Sequence, residues 1–149
     1  VTREGGCVCG AVRYVVDGPL RDVLVCHCVD CVAAVGRPWA ATAAHRRDLT
    51  LHEGEGLRWR RFASSEHGAS RGRCYRCRTV VFWDAPERDT VSIGVETLDE
   101  PPALVVGGHI WVSQDPGWEP GEEELELSIP SYSRGAPQGV RGPALRWVD

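Results

Sequence analysis

Cys7-Val8-Cys9-Gly10-Ala11-Val12-Arg13-Tyr14 puts two thiols one residue apart, follows them with a glycine, and runs on into a stretch that reads as a strand. So tight a pair needs partners elsewhere, and the chain supplies them in Cys74-Tyr75-Arg76-Cys77. Together the pairs offer four thiolates, the closed tetrahedral set of a structural zinc ion. Such an ion would clamp the start of the chain to its middle, so the fold would depend on it. Gly5, Gly6 and Gly10 would let the backbone turn tightly around the metal. Buried free thiols that pack as small hydrophobes are the alternative, and two such tight pairs argue against it.

Between the pairs lies Cys26-His27-Cys28-Val29-Asp30-Cys31. Cys28 and Cys31 are one helical turn apart, and Cys26 ends the apolar run Val23-Leu24-Val25, from which it can reach the same point. Three protein ligands with an open fourth position is the arrangement of a catalytic zinc, and a helix N-terminus nearby favours the thiolate. Two alternatives stay open: His27 or another His or Asp closes this site, or Cys26 is a core residue. His45, His52, His67 and His109 show no ligand spacing among themselves and read as ordinary. Seven cysteines is an odd number, which argues against a purely disulfide framework, and in a reducing compartment clustered cysteines point to metal or redox chemistry.

Around the cysteines the sequence reads as short strands: Val12–Val16, Asp22–Val25, Trp39–Thr42, Leu49–His52, Leu57–Ala63, Thr79–Trp83, Thr90–Val95, Ala103–Val106 and His109–Val112. Asp17-Gly18-Pro19 is a turn, Asp30–Val35 a short helix closed by Gly36, and Ser64–Gly72 a polar loop leading to Cys74. Beyond Ser113, Pro, Gly, Ser and an acidic run at Glu122-Glu123-Glu124 dominate, with Leu125-Leu127-Ile129 alternating like an edge strand. The expectation is a mainly β fold in one domain over 1–149, with a core from about 5 to 118 and a peripheral tail over 119–149. The 17 basic residues are all arginine, which excludes Schiff-base chemistry on a lysine. A net charge of −4 argues against nucleic acid as a partner. No apolar run reaches the roughly 20 residues of a membrane span, and no signal-peptide pattern opens the chain, so no membrane partner and a cytoplasmic location are expected.

The order C-x-C, C-x-C-x-x-C, C-x-x-C resembles the family of glutathione-dependent formaldehyde-activating enzymes, which includes the centromere protein V relatives. Gly6–Tyr14, Cys26–Cys31 with Gly36, Ser64-Ser65, Arg71–Thr79, Gly94, Thr97–Pro101, His109–Val112 and Trp118 carry the likeness. It implies a β-tent-like fold of small antiparallel sheets around two zinc ions. Cys7, Cys9, Cys74 and Cys77 would hold the structural ion, and Cys26, Cys28 and Cys31 the catalytic one. It further implies a carbon–sulfur lyase chemistry, the formation of S-hydroxymethylglutathione from glutathione and formaldehyde, with a small thiol or its aldehyde adduct as ligand. The chain departs from the family where Cys-Gly-Thr becomes Cys77-Arg78-Thr79, where the aromatic before Cys74 becomes Arg73, and where Val32-Ala33-Ala34 replace a basic residue. An enzyme of this kind calls for a cavity beside the three-cysteine site, with Trp83, Trp111 and Trp118 either walling it or packing in the core. A non-catalytic zinc module that binds a macromolecule and a redox sensor built on Cys28 and Cys31 are the competing readings.

Overall fold

The computed structural model describes residues 1–62, 68–119, 129–134 and 145–149. Twelve strands and one short α-helix are found among them: β1 (Thr2–Gly6), β2 (Arg13–Asp17), β3 (Leu20–Arg21), β4 (Val23–Cys26), α1 (Val29–Val35), β5 (Trp39–His45), β6 (Leu49–Glu53), β7 (Leu57–Arg61), β8 (Ser70–Cys74), β9 (Val80–Asp84), β10 (Thr90–Gly94), β11 (Val106–Ile110) and β12 (Trp147–Val148). The small sheet runs β1-β2-β6 and the large one β11-β4-β5-β10-β9-β8-β7, with β3 on β5 and β12 on β3. Every pairing is antiparallel except that of β11 with β4. The fold is thus mainly β, with no closed barrel among the described residues.

Strand alternation explains how the sheets meet. In β2, Tyr14 and Val16 point inward while Arg13 and Val15 are only half-buried. They face Val81 and Phe82 of β9 and Val91 and Ile93 of β10, and Cys7 and Cys74 belong to the same core. The Tyr14 ring meets Phe82 edge-on at 5.3 Å, and its hydroxyl lies 2.7 Å from Thr97 Oγ1. Alanine is a poor strand former, yet Ala41, Ala43 and Ala44 build β5, because that strand is enclosed by β10 on one side and β3 and β4 on the other. A second cluster, Cys31, Trp39, Ala41 and Val80, packs with Cys26, Cys28, Ala34, Val35 and Trp83. Both cysteine groups are therefore built into cores.

Several local expectations are corrected. Thr2–Gly6 is a strand paired along β2, so Gly5 and Gly6 are ladder residues and not a turn around metal. A Cβ on Gly5 would sit 2.3 Å from the Tyr14 hydroxyl, and close approach is what this glycine permits. Asp17–Pro19 is the corner at which the chain leaves the small sheet for the large one. The strand β8 begins at Ser70, inside the expected loop, whose residues 64–67 lie outside the described ones, as does residue 63 at the end of the expected strand Leu57–Ala63. In place of strands at Ala103–Val106 and His109–Val112 there is one, Val106–Ile110, held in register by β4. Residues 125 and 127 of the expected edge strand also lie outside the described residues. The end of the chain docks where it is described: Arg146 clasps the buried Asp22 carboxylate at 2.8 and 3.1 Å, and Trp147 stacks on His45 at 4.2 Å. No helix among the described residues is long and apolar enough to cross a membrane.

Candidate metal centres

Two tight backbone turns carry the four-cysteine cluster. In the first, the Cys7 amide bonds Val12 O at 3.0 Å, the Gly10 amide bonds Cys7 O at 3.2 Å, and the Val12 amide reaches Cys7 Sγ at 3.3 Å. Gly10 makes this turn with φ of +82°. In the second, the Cys74 amide bonds Thr79 O at 3.0 Å and the Arg78 amide bonds Cys74 O at 2.9 Å. All four sulfurs lie within 4.8 Å of one another, with Cys9 Sγ 3.6 Å from both Cys7 and Cys74. A disulfide needs about 2.05 Å. A tetrahedron of zinc–sulfur bonds of about 2.3 Å places its sulfurs about 3.8 Å apart, so this donor set suits such an ion. Burial alone would push the Cys77 thiol up, but hydrogen bonds from the Thr79 side chain and from the Thr79 and Cys9 amides outweigh it and hold it at about 5.

The second turn has an unusual member. Arg78 sits at φ of +64°, a region that suits glycine and costs a residue with a Cβ about 1 kcal/mol. Arg78→Gly is therefore expected to raise stability by about 0.5–1 kcal/mol, read as a shift of the denaturant midpoint at unchanged slope. A lower midpoint would mean that the arginine side chain contributes more than its backbone costs.

The three-cysteine cluster is assembled where β4 meets α1. Cys26 closes β4, Cys28 is the helix N-cap, and its sulfur accepts from the Cys31 amide at 3.2 Å. Gly36 ends the helix in the left-handed conformation, φ 86°, its amide bonded to Val32 O. The three sulfurs lie within 4.8 Å of one another. Hydrogen bonds from Cys26 and Cys31, helped by the Cys31 amide and the charge of Arg71, pull the Cys28 thiol down to about 3. Cys26 moves the other way, raised by its bonds to Cys28 and Cys31 and by burial.

Two sets of residues at this centre were not legible in the motif itself. Arg71, on β8, donates through Nη2 to Cys31 Sγ at 3.3 Å while only 8% exposed, and its guanidinium lies 4.3 Å over the Phe62 ring. The other set is centred on His27, which is 2% exposed and turned away from the sulfurs. Its Nδ1 is 2.9 Å from Asp115 Oδ2 and its Nε2 is 2.9 Å from His109 Nδ1, with Trp118 packed on both rings at 4.9 and 4.6 Å. The carboxylate accepts from Nδ1–H, so a neutral His27 accepts at Nε2 from His109 Nδ1–H. Burial, then the neighbouring His27, push His109 down, which favours a neutral His109. With both ring nitrogens engaged, His27 is not a fourth ligand, and among the described residues only the three thiols converge. His109, read as ordinary from sequence, is part of the support of the Cys26–Cys28 turn.

A cavity of about 490 Å³ opens between the end of α1 and the four-cysteine cluster, lined by Cys7 and Cys77 and by none of Cys26, Cys28 and Cys31. Trp39 lines it, whereas Trp83, Trp111 and Trp118 neither line it nor are fully buried.

Two sheets with a cysteine cluster in each core define a mainly β protein organised around two candidate metal centres. The sequence profile of the glutathione-dependent formaldehyde-activating enzymes matches residues 2–114, about three quarters of the chain, and the chain belongs to that family. The crystal structure of a Rhodobacter sphaeroides protein is similar in fold, with a TM-score of 0.56 at 21% identity over 86% of this chain and 98% of that one. No curated protein matches the sequence.

Proposed function

We propose that this single-domain protein is a zinc-dependent enzyme of the carbon–sulfur lyase class that joins a small thiol, such as glutathione, to formaldehyde or a related aldehyde. Cys7, Cys9, Cys74 and Cys77 would hold a structural zinc ion, and Cys26, Cys28 and Cys31 a catalytic one. The observation that carries this reading is the convergence of three thiols, without a fourth protein ligand among the described residues, beside a buried guanidinium. Bound there, zinc would lower the pKa of an incoming thiol and act as a Lewis acid toward the aldehyde oxygen.

The chain's own residues set the charge of the centre. Three thiolates against a divalent ion leave a formal −1, and the Arg71 guanidinium on Cys31 brings the local sum to zero. The Cys31 amide further draws charge on Cys28, and the Asp115–His27–His109 chain fixes the turn that carries Cys26 and Cys28. In the reaction the thiol sulfur bonds to the carbonyl carbon, the carbon–oxygen π bond breaks, and the thiol proton ends on that oxygen. The reverse direction cleaves the same carbon–sulfur bond.

Zinc per chain on freshly purified protein tests the two-centre reading. The intact chain is expected to hold two ions and Cys28→Ser one, with the fold retained because serine is itself a good N-cap. Glutathione-dependent consumption of formaldehyde should disappear with the second ion. One ion in both proteins, with thiols lost to oxidation, would replace the enzyme reading with the redox sensor. Two ions without turnover of any aldehyde would favour the interaction module.

A further inference from the structure

On the face of the large sheet that carries the three-cysteine centre, two arginines stand without a counter-ion. Ala43 pairs with Ser92, Ser92 with Trp83 and Trp83 with Arg71, and partners across a ladder share a face, the one from which Arg71 reaches Cys31. Leu20 packs in the core on the other face, so Arg21, the next residue of β3, turns to this one. Its Nε and Nη2 donate to the carbonyl oxygens of Asp22 and Ala41 at 3.2 and 3.3 Å, and its Nη1 has no partner among the described residues. The Arg88 guanidinium lies 5.1 Å over the Trp83 ring, and its buried Nε makes no hydrogen bond. Neither arginine forms an ion pair among the described residues; the Asp22 carboxylate is held by Arg146 and that of Asp84 by Arg46. Burial pulls Arg21 down to about 10, and the charge of Arg88 adds to that shift. Ser92, on β10 between β5 and β9, is partly exposed, and its hydroxyl is unbonded among the described residues. Two cations that oppose each other, partly withdrawn from water and with donors unused, call for an anion. The thiolates do not supply it, since the charge they leave beside zinc is met by Arg71.

We propose that Arg21 and Arg88 hold a carboxylate of the thiol substrate, and so select an acidic thiol over a neutral one. The inference rests on the enzyme reading for the thiol and deepens it by naming what anchors the end of that substrate remote from its sulfur. Trp83 links the two places, since it packs in one cluster with Cys26, Cys28 and Cys31 and carries Arg88 on its ring. A carboxylate several bonds from the sulfur can therefore meet the arginines while the sulfur meets the three-cysteine centre. A guanidinium fork matches a carboxylate in two parallel hydrogen bonds, and Arg88 has its donors free for that. Arg21 Nη1 and the Ser92 hydroxyl offer two more. Both arginines bind and orient; among the described residues neither bonds a sulfur.

The test uses the whole zinc-loaded chain with glutathione and, as its twin without carboxylates, glutathione dimethyl ester. Binding is read by calorimetry in the absence of aldehyde, so no turnover is needed. The acid is expected to bind about tenfold or more tightly than the ester, the scale of one charge-assisted hydrogen bond. Arg88→Met, which keeps apolar bulk on Trp83, is expected to close that gap by weakening the acid alone, and Arg88→Lys to keep part of it. Arg37→Met, which removes an exposed arginine already paired with Glu96, is expected to leave the gap as it is. Equal affinity of acid and ester for the natural chain overturns the proposal without need of any variant. So does a gap that survives in folded Arg88→Met, or no binding of either probe at millimolar concentration. The enzyme reading falls separately: a chain that prefers the acid yet turns over no aldehyde loses that reading and keeps the carboxylate site. Turnover of the ester at the KM of the acid keeps the enzyme and removes the site.

Discussion

Cys74→Ser is expected to cost the chain more stability than any other single substitution among its cysteines. Cys74 ends β8, is fully buried, and lies in one core with Tyr14, Phe82 and Ile93. Its sulfur is 3.6 Å from that of Cys9, which is 65 residues away in sequence. A structural zinc ion, if bound there as proposed, would stabilise only the folded chain, and apparent binding energies for such sites run to about 10 kcal/mol or more. Loss of one thiolate of four gives up a large part of that and leaves a serine hydroxyl in an apolar core. A loss of at least about 4 kcal/mol is expected, which for a domain of this size lowers the melting temperature by roughly 10 °C or more. Thermal unfolding followed by circular dichroism checks it, with the parent chain in excess chelator as companion. Both are expected to melt early or to be unfolded at room temperature. A variant that melts within two or three degrees of the parent would mean that the four sulfurs assemble without a metal and that the core alone holds the start of the chain to its middle.

The contrast between the two cysteine clusters shows what was legible in the sequence. Four thiols in two tight pairs could be assigned to one point without a structure, because the donor chemistry demands a tetrahedron and the chain offers no other complete set. The short helix was legible too, from Gly36 and the one-turn spacing of Cys28 and Cys31. His27 was left ambiguous, but extended backbone holds the answer: successive side chains in a strand point to opposite sides, so a residue between Cys26 and Cys28 must face away when both sulfurs share a ligand. Its partners, His109 and Asp115, could not be paired with it, since they arrive through the parallel pairing of β11 with β4, a long-range contact that no local pattern encodes. Arg71 was hidden for a related reason. It stands close in sequence to the arginines at 73, 76 and 78, with no local pattern to single it out, and strand alternation together with the register of β8 on β9 turns it inward. The glycines of β1 pointed away from a strand that tertiary packing then imposed, and β5 runs three residues beyond its expected end at Thr42, to His45.

Arg71 carries the other large expected effect. Its guanidinium is almost wholly withdrawn from water, and the pair with Cys31 Sγ together with the face of Phe62 replaces the lost hydration. A buried cation retained beside three thiols acts chiefly on their charge. On the proposed function it would draw electron density on the Cys31 sulfur, weaken that sulfur as a donor, and so leave a bound metal more electrophilic toward an aldehyde oxygen. Arg71→Met keeps length and apolar bulk but removes charge and donor. For this variant kcat is expected to fall about 100-fold, the scale of losing one hydrogen bond to developing charge in a dry site, with a much smaller change in KM. Arg71→Lys, which retains charge but not the fork, is expected to recover part of the loss. A purely structural role would also lower activity through unfolding, so the deciding readout is spectroscopic. In the cobalt-substituted protein, loss of the hydrogen bond to Cys31 raises the energy of the sulfur lone pairs and shifts the sulfur-to-cobalt charge-transfer band to longer wavelength, in a chain whose melting temperature shows it still folded. An unshifted band with undiminished kcat in folded Arg71→Met would leave Arg71 as a packing residue, and the formal charge of −1 would then suit thiol delivery in place of carbonyl activation.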